Sequence, residues 1–134
     1  LAKKPINISF EEAAAVPEAA LVALQGLCDA RQIQKGQKVL IYGASGGIGT
    51  FAVQIAKYVG TEVTGVCSTR NLDMVCSIGA DHVIDYTQED FTKNGQRYDL
   101  TLATAGYRLI FDYKRALSPN KIHVATGSSM TQIF

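Results

Sequence analysis

Three glycines, Gly43, Gly46 and Gly49, stand at G-x-x-G-x-x-G spacing in the run KVLIYGASGGIGT at residues 38–50. That spacing suits a backbone cradle for phosphate oxygens. Gly43 lets the chain turn without Cβ strain. Gly46 leaves room for a pyrophosphate to meet the backbone, and Gly49 lets a following helix pack closely on a sheet. Free N–H groups at the helix start then hold the anion. Ala44 and Ser45 separate the first two glycines, so the spacing departs from the commoner G-x-G-x-x-G form. A tight strand–helix turn that holds no ligand is the alternative reading of the same residues.

A second group lies about 20 residues further on, where an NAD site places an acidic residue on the adenosine ribose. This chain has Cys67, Ser68, Thr69 and Arg70 there, with no Asp or Glu. Ser68 and Thr69 can donate to phosphate oxygens, and Arg70 can form a charge-assisted bond or stack on adenine. The combination favours a 2′-phosphate, hence NADP(H). The alternative is a solvated arginine near a helix start, with Ser68 or Thr69 as its cap. Small residues at 104–106 and 126–129, among them Gly127 and Ser128, follow the fourth and fifth expected strands. They suit the nicotinamide ribose, or equally ordinary turns.

No catalytic constellation accompanies these groups. His82 and His123 fall in expected strands and read as strand-start or core histidines. Cys28, Cys67 and Cys76 form no CxxC or zinc pattern and read as reduced, mostly buried thiols. With no Cys/His cluster, no zinc site can be assembled from the sequence. The glycines lack a following Walker lysine, and Gly43, Ser45 and Gly47 match the letters of G-x-S-x-G by accident of composition rather than as a serine-nucleophile turn. Tyr42 and Tyr58 read as packing residues. Tyr113 is followed at once by Lys114, so no Tyr-x-x-x-Lys pair forms.

The elements that must carry these groups alternate. Val39, Leu40 and Ile41 predict a buried strand, and Ile48, Phe51, Ala52, Ile55 and Ala56 recur at helical spacing after it. That helix should end at Gly60. Further strands are expected at 62–67, 82–84, 98–103 and 121–125, with Gly65 marking either a close approach by a backbone or a ligand or simply a weak point in its strand. A helix at 71–78 should close at Gly79, and residues 89–91 form a helical turn at most. A helix at 110–117 should stop at Ser118–Pro119. Ahead of them, Ser9 and Glu12 form a capping box, and Pro17 divides two short helices. Ala20, Leu21, Leu24 and Leu27 give the second helix an apolar face. The pattern is α/β: a Rossmann-like, doubly wound parallel sheet with five strands present and the last of the usual six missing.

The chain has 134 residues, is 47% hydrophobic and 19% charged, and carries a net charge of +1. It therefore lacks the basic footprint of a nucleic-acid binder. No signal peptide or long apolar run appears, so a soluble, cytoplasmic protein without membrane partners is expected. Leu1 and an end at Phe134 suggest a piece of something longer. Residues 1–36 read as lead-in helices linking to an absent catalytic domain, and residues 37–134 as a truncated dinucleotide-binding domain.

Several separated motifs, GQKVLIYGASGGIGTFAVQIAKYVGTEVTGVCSTRN, SIGADHVIDY, YDL and AG, occur in an order that resembles the medium-chain dehydrogenase/reductase superfamily. Its zinc-independent quinone oxidoreductase branch is most similar. The resemblance implies that Gly43, Ser45, Gly46, Gly47, Ile48 and Gly49 border the pyrophosphate of a nicotinamide cofactor. It implies that Ser68 and Arg70 favour NADPH, and that Gly127 and Ser128 approach the nicotinamide. It also implies a homodimeric parent that moves a hydride from NADPH to a quinone or activated enone, a small substrate held by the absent domain. The stretch alone should be inactive. An alcohol dehydrogenase, an enoyl reductase or a non-catalytic nucleotide-binding relative are the alternatives. Ala103, Lys121 and Val22 depart from residues common in the family, namely Asp, Gly and Thr.

Overall fold

In the computed structural model, residues 2–28, 33–104 and 110–126 are described. Apolar residues on both faces of the central strands bury the sheet from two sides. The strands are β1 (Lys38–Tyr42), β2 (Glu62–Cys67), β3 (His82–Asp85), β4 (Tyr98–Ala103) and β5 (Leu117–Ala125). All pair in parallel, in the order β3-β2-β1-β4-β5. This is the Rossmann-like order expected from the alternation of elements. It places β1, and the turn that follows it, at the middle of the sheet.

Alternation along the strands separates two cores. Val39, Ile41, Val63, Leu100 and Leu102 face helices α2 (Pro17–Cys28), α3 (Gly47–Val59) and α4 (Leu72–Ser77). Leu40, Tyr42, Val66 and Tyr98 face α5 (Ile110–Ala116) and a 3-10 turn at Phe91–Lys93. Tyr113, fully buried, contributes the largest side chain of this second core. The helical turn thus sits two residues later than expected, because Asp90 caps it through Thr92 N.

The lead-in follows its local signals. Ser9 and Glu12 form the reciprocal capping box on α1 (Phe10–Ala14), and Pro17 opens α2 at its first position. The apolar face of α2 differs from expectation. Ala23, Gly26 and Leu27 are buried, whereas Leu21 and Leu24 are exposed. A Cβ on Gly26 would lie 3.0 Å from a Leu102 methyl, so the small residues set how closely α2 lies on the sheet. Tyr58 is also exposed, which removes it from the core. Gly65 is crowded by side chains rather than by backbone or ligand: its Cβ would stand 2.6 Å from Val75 and 3.1 Å from Ala44.

At the other edge, α5 ends at Ala116 and β5 begins at Leu117, so Ser118 and Pro119 lie inside the strand. Register shifts between Tyr98 and Leu100, and β5 pairs with β4 alone among the described strands. An irregular, edge-type position accommodates the missing proline N–H. Lys121 pairs with Asp99 at 3.3 Å. Ala103 is fully buried at the end of β4.

His123 of β5 has the most displaced proton affinity. Its Nδ1 lies 2.8 Å from Thr101 Oγ1, and its ring stacks on Tyr113 with centroids 4.2 Å apart. Its Nε2 is buried without a hydrogen-bond partner among the described residues. Burial lowers its pKa from 6.5 to about 4 and outweighs the contact with Thr101. The unfolded chain therefore binds a proton that the native chain refuses as pH falls from 6.5 to 4. Stability is lost across that window as pH falls, by about 3 kcal/mol at its lower end before solvent screening of the partly exposed ring reduces it. Urea midpoints measured from pH 8 to pH 4 should show this loss, and His123→Gln should flatten it. An unchanged slope in the variant would refute the assignment.

Candidate functional site

The turn after β1 is held from three directions. Gly43 takes φ +82°, a conformation that glycine supplies without strain. Gly43 N and Ala44 N both donate to Val66 O at 3.0 Å, which ties the turn to β2. Thr104 Oγ1 donates to Tyr42 O at 2.9 Å and to Gly43 O at 3.0 Å, which ties it to the end of β4. Gly46 N closes the turn on Gly43 O at 3.1 Å.

Helix α3 starts directly above. Its N-cap is Gly46, and no side chain caps it. A Cβ on Gly49 would lie 2.1 Å from Gly43 O and 2.8 Å from Ala44 Cα. The close approach that this glycine permits is thus between the helix and the turn itself. A Cβ on Gly47 would meet nothing within 4 Å, and one on Gly46 would meet only Gly43 O at 3.4 Å. Gly46 and Gly47 therefore leave open space over an uncapped helix N-terminus. A diphosphate fits that cradle by charge and by shape.

Two clefts meet at this point. One, of about 490 Å³, runs from Gly43, Ser45 and Gly46 to Ser68, Arg70 and Asn71, with Tyr42, Tyr86 and Thr104 also in its walls. The other, of about 380 Å³, lies between Gly46, Gly47, Ile48 and Thr104 and the lead-in residues Ala14, Ala15, Glu18 and Ala19. Together they flank the glycine turn on both sides, at the carboxyl ends of the strands. That is where open parallel sheets take ligands.

The structure brings Gly43, Ser45, Gly46, Ser68 and Arg70 into one cleft. Gly47 and Ile48 line the other, and Gly49 stands beneath both as a packing residue. Gly127 and Ser128 lie outside the described residues, as do Ala105, Gly106 and Ser129. Arg70 is exposed and makes no hydrogen bond or ion pair among the described residues. Ser68 occupies the N-cap position of the 3-10 turn Thr69–Asn71 but makes no capping bond with its side chain. Thr69 is diverted: its hydroxyl donates to Asp85 and lies 3.2 Å from Thr87 Oγ1. These hydrogen bonds from Thr69 and Thr87 hold the Asp85 carboxyl below the usual carboxylate range. Asp85 is thus occupied at the end of β3 and does not line the cleft.

Tyr86, Asn71 and Thr104 also line the cleft, beyond the binding residues that spacing along the sequence points to. Tyr86 projects beside Tyr42, with ring centroids 6.3 Å apart, and is half exposed. Its place directly after the third strand was the available signal. In the sequence Asn71 carries only the signal of a helix start. Thr104 belongs by sequence to the small residues that suit a ribose, but its hydroxyl is committed to the turn.

His82 is exposed at the start of β3 and pairs with Glu62 at 2.9 Å, at the opposite ends of the strands from the cleft. The three thiols are free: Cys67 is buried, Cys28 half-buried and Cys76 exposed. Burial, aided by the nearby Asp85 charge, pushes the Cys67 thiol pKa up. Among the described residues no group of three or more His, Cys, Asp or Glu could hold a metal ion, so they do not supply a zinc ligand set. No helix among them is long and apolar enough to cross a membrane.

A parallel sheet in this order, with a glycine turn feeding an uncapped helix at its centre, defines a Rossmann-type dinucleotide-binding domain. The chain matches the family described as zinc-binding dehydrogenase over residues 47–126, and it belongs to that family as a nicotinamide-dinucleotide-binding domain of the medium-chain dehydrogenase/reductase superfamily. It is 38% identical over 108 residues to a 2-methylene-furan-3-one reductase of Solanum lycopersicum, covering 79% of this chain and 28% of that protein. It is 38% identical over 112 residues to a chloroplast envelope quinone oxidoreductase homolog of Arabidopsis thaliana, covering 77% of this chain and 34% of that protein. Among solved structures, the quinone oxidoreductase of Coxiella burnetii superposes with a TM-score of 0.87 at 32% identity, over 97% of this chain and 41% of that one. The chain spans 28% and 34% of the lengths of these two curated relatives.

Proposed function

We propose that this chain is the NADP(H)-binding domain of a zinc-independent oxidoreductase that passes a hydride to a quinone or an activated enone. One observation carries the choice of cofactor: among the described residues, Arg70 is the only charged one lining the larger cleft, and no carboxylate lines it. A carboxylate there would bind ribose hydroxyls and repel a 2′-phosphate, whereas an unpaired guanidinium attracts one. Gly46 and Gly47 admit the pyrophosphate to the N-terminus of α3. Ser68 and Arg70 meet the adenosine phosphate, and Tyr86 offers a face to the base. The smaller cleft beside Ile48 takes the other half of the cofactor. The bound dinucleotide supplies the hydride. This chain binds and orients it, and the substrate and any catalytic side chains belong to a domain reached through residues 1–36.

The names of the relatives support a reductase of quinones or conjugated ketones, though enoyl reductases share the same fold closely. On this reading the parent works in the cytoplasm as a homodimer. Cofactor fluorescence titration tests the assignment. NADPH should bind more tightly than NADH, and Arg70→Ala should weaken NADPH by about tenfold or more while leaving NADH nearly unchanged. Equal binding of the two cofactors, or an equal loss for both in the variant, would remove the 2′-phosphate role from Arg70.

A further inference from the structure

Asn71 stands at the N-cap of α4, where an asparagine ordinarily turns its side chain onto the helix N–H groups. Here it makes no capping bond. Its amide nitrogen instead reaches two hydroxyls that belong to different loops. Nδ2 donates to Ser68 Oγ at 3.1 Å and to Ser45 Oγ at 3.3 Å. Ser45 lies in the glycine turn after β1, and Ser68 follows β2. All three residues line the same cleft as Arg70.

The donor count determines what the serines can do. An amide NH2 has two hydrogens, one for each serine. A hydroxyl has one proton and two lone pairs, and Asn71 takes a lone pair from each. Neither hydroxyl donates to another described residue. Each therefore keeps its proton for a further acceptor, on the side of the cleft where phosphate groups are expected.

We propose that Asn71 is a positioning residue that sets Ser45 and Ser68 as a pair of hydrogen-bond donors to the phosphate groups of the dinucleotide. Ser45 serves the pyrophosphate, which NADH and NADPH share. Ser68 serves the 2′-phosphate, which only NADPH carries. The inference rests on the NADP(H) reading and extends it: Asn71 touches no phosphate itself, yet it contributes to affinity for both cofactors and to the preference between them. Asp at this position would reverse the arrangement. Its carboxylate accepts both hydroxyl protons and presents the cleft with lone pairs and a negative charge.

The test is a mutant cycle in the intact protein, read as dissociation constants for NADPH and NADH by cofactor fluorescence. Thermal midpoints confirm folding. Asn71→Ala should weaken NADPH about tenfold and NADH about threefold. Asn71→Asp, which keeps a good helix N-cap, should weaken NADPH further than Asn71→Ala does. In a Ser45→Ala, Ser68→Ala background, Asn71→Ala should add less than a twofold change, because the groups it positions are gone. A merely structural role would instead add its full effect in that background and move both cofactors equally, and either result overturns the proposal. Wild-type affinity separates the two levels. If the wild type binds neither cofactor, the NADP(H) reading fails and takes this inference with it. If the wild type prefers NADPH and depends on Arg70, but Asn71→Ala changes nothing, this inference alone fails.

Discussion

Gly47→Asp should keep the fold and lose the cofactor. Gly47 is the first residue of α3, its φ is not positive, and a Cβ there meets nothing within 4 Å. An aspartate at this position places negative charge against the positive end of the helix dipole, which stabilises a helix by about 0.3–1 kcal/mol. Replacing glycine in a helix also removes backbone freedom from the unfolded chain. The unfolding midpoint should therefore hold or rise. The same carboxylate occupies the space and the N–H groups that a pyrophosphate would use. Two like charges about 5 Å apart at an effective dielectric of about 20 repel by about 3 kcal/mol, or about a hundredfold in affinity. Fluorescence titration should show that loss for NADPH and NADH alike, and added salt should recover part of it. Gly47→Asn, of similar size and neutral, should lose much less. An aspartate variant that binds as the wild type does would move the pyrophosphate away from this helix.

Gly49→Ala should do the opposite damage, two residues along the same helix. Its new Cβ would overlap Gly43 O at 2.1 Å and crowd the Ala44 backbone at 2.8 and 2.9 Å. Backbone on both sides cannot step aside as a flexible side chain would. Gly43 O is further held by Gly46 N and Thr104 Oγ1, and the neighbouring Ala44 N is bonded to Val66 O. To relieve the contact, α3 must lift from the turn, which opens a close-packed core between α3 and β1. The expected loss is about 3 kcal/mol or more, well above the usual gain of replacing a helical glycine by alanine. Urea denaturation of the variant should report it. Cofactor affinity should fall as well, because the cradle and the helix would separate. A variant as stable as the wild type would mean that the turn has slack the packing does not show. Two glycines of one turn of helix, separated by Ile48, thus act on separate properties, one on the ligand and one on the fold.

Much of the arrangement was legible in the chain because it follows from local periodicity. The run from Val39 to Ile41, the glycines behind it and the helical spacing of Ala52 and Ala56 are short-range signals, and they specify strand, turn and helix in order. Ser9 with Glu12, Pro17 and Gly60 marked element ends through their own backbone preferences. The signals failed where partners come from far along the chain. Leu21 and Leu24 match a helical stripe, but the sheet accepts Ala23 and Gly26 instead, since only small residues let α2 approach Leu102. Pro119 reads as a stop, yet an irregular strand that pairs with β4 alone among the described strands tolerates it.

The candidate site divides the same way. From the sequence alone came the glycine cradle, the lack of an acidic residue near Arg70, and the expectation of a nicotinamide dinucleotide with a 2′-phosphate. These depend on residue type and on spacing along one chain segment. Only the tertiary structure decided which hydroxyls face the cleft. Ser68 and Thr69 are neighbours with the same chemistry, but the end of β3 brings Asp85 and Thr87 to Thr69 and leaves Ser68 to Asn71. Asn71 bonds to Ser45, 26 residues before it, and Thr104 joins β4 to a turn 61 residues before it. Hydrogen bonds of that kind depend on strand order, and strand order is set by the packing of the whole sheet.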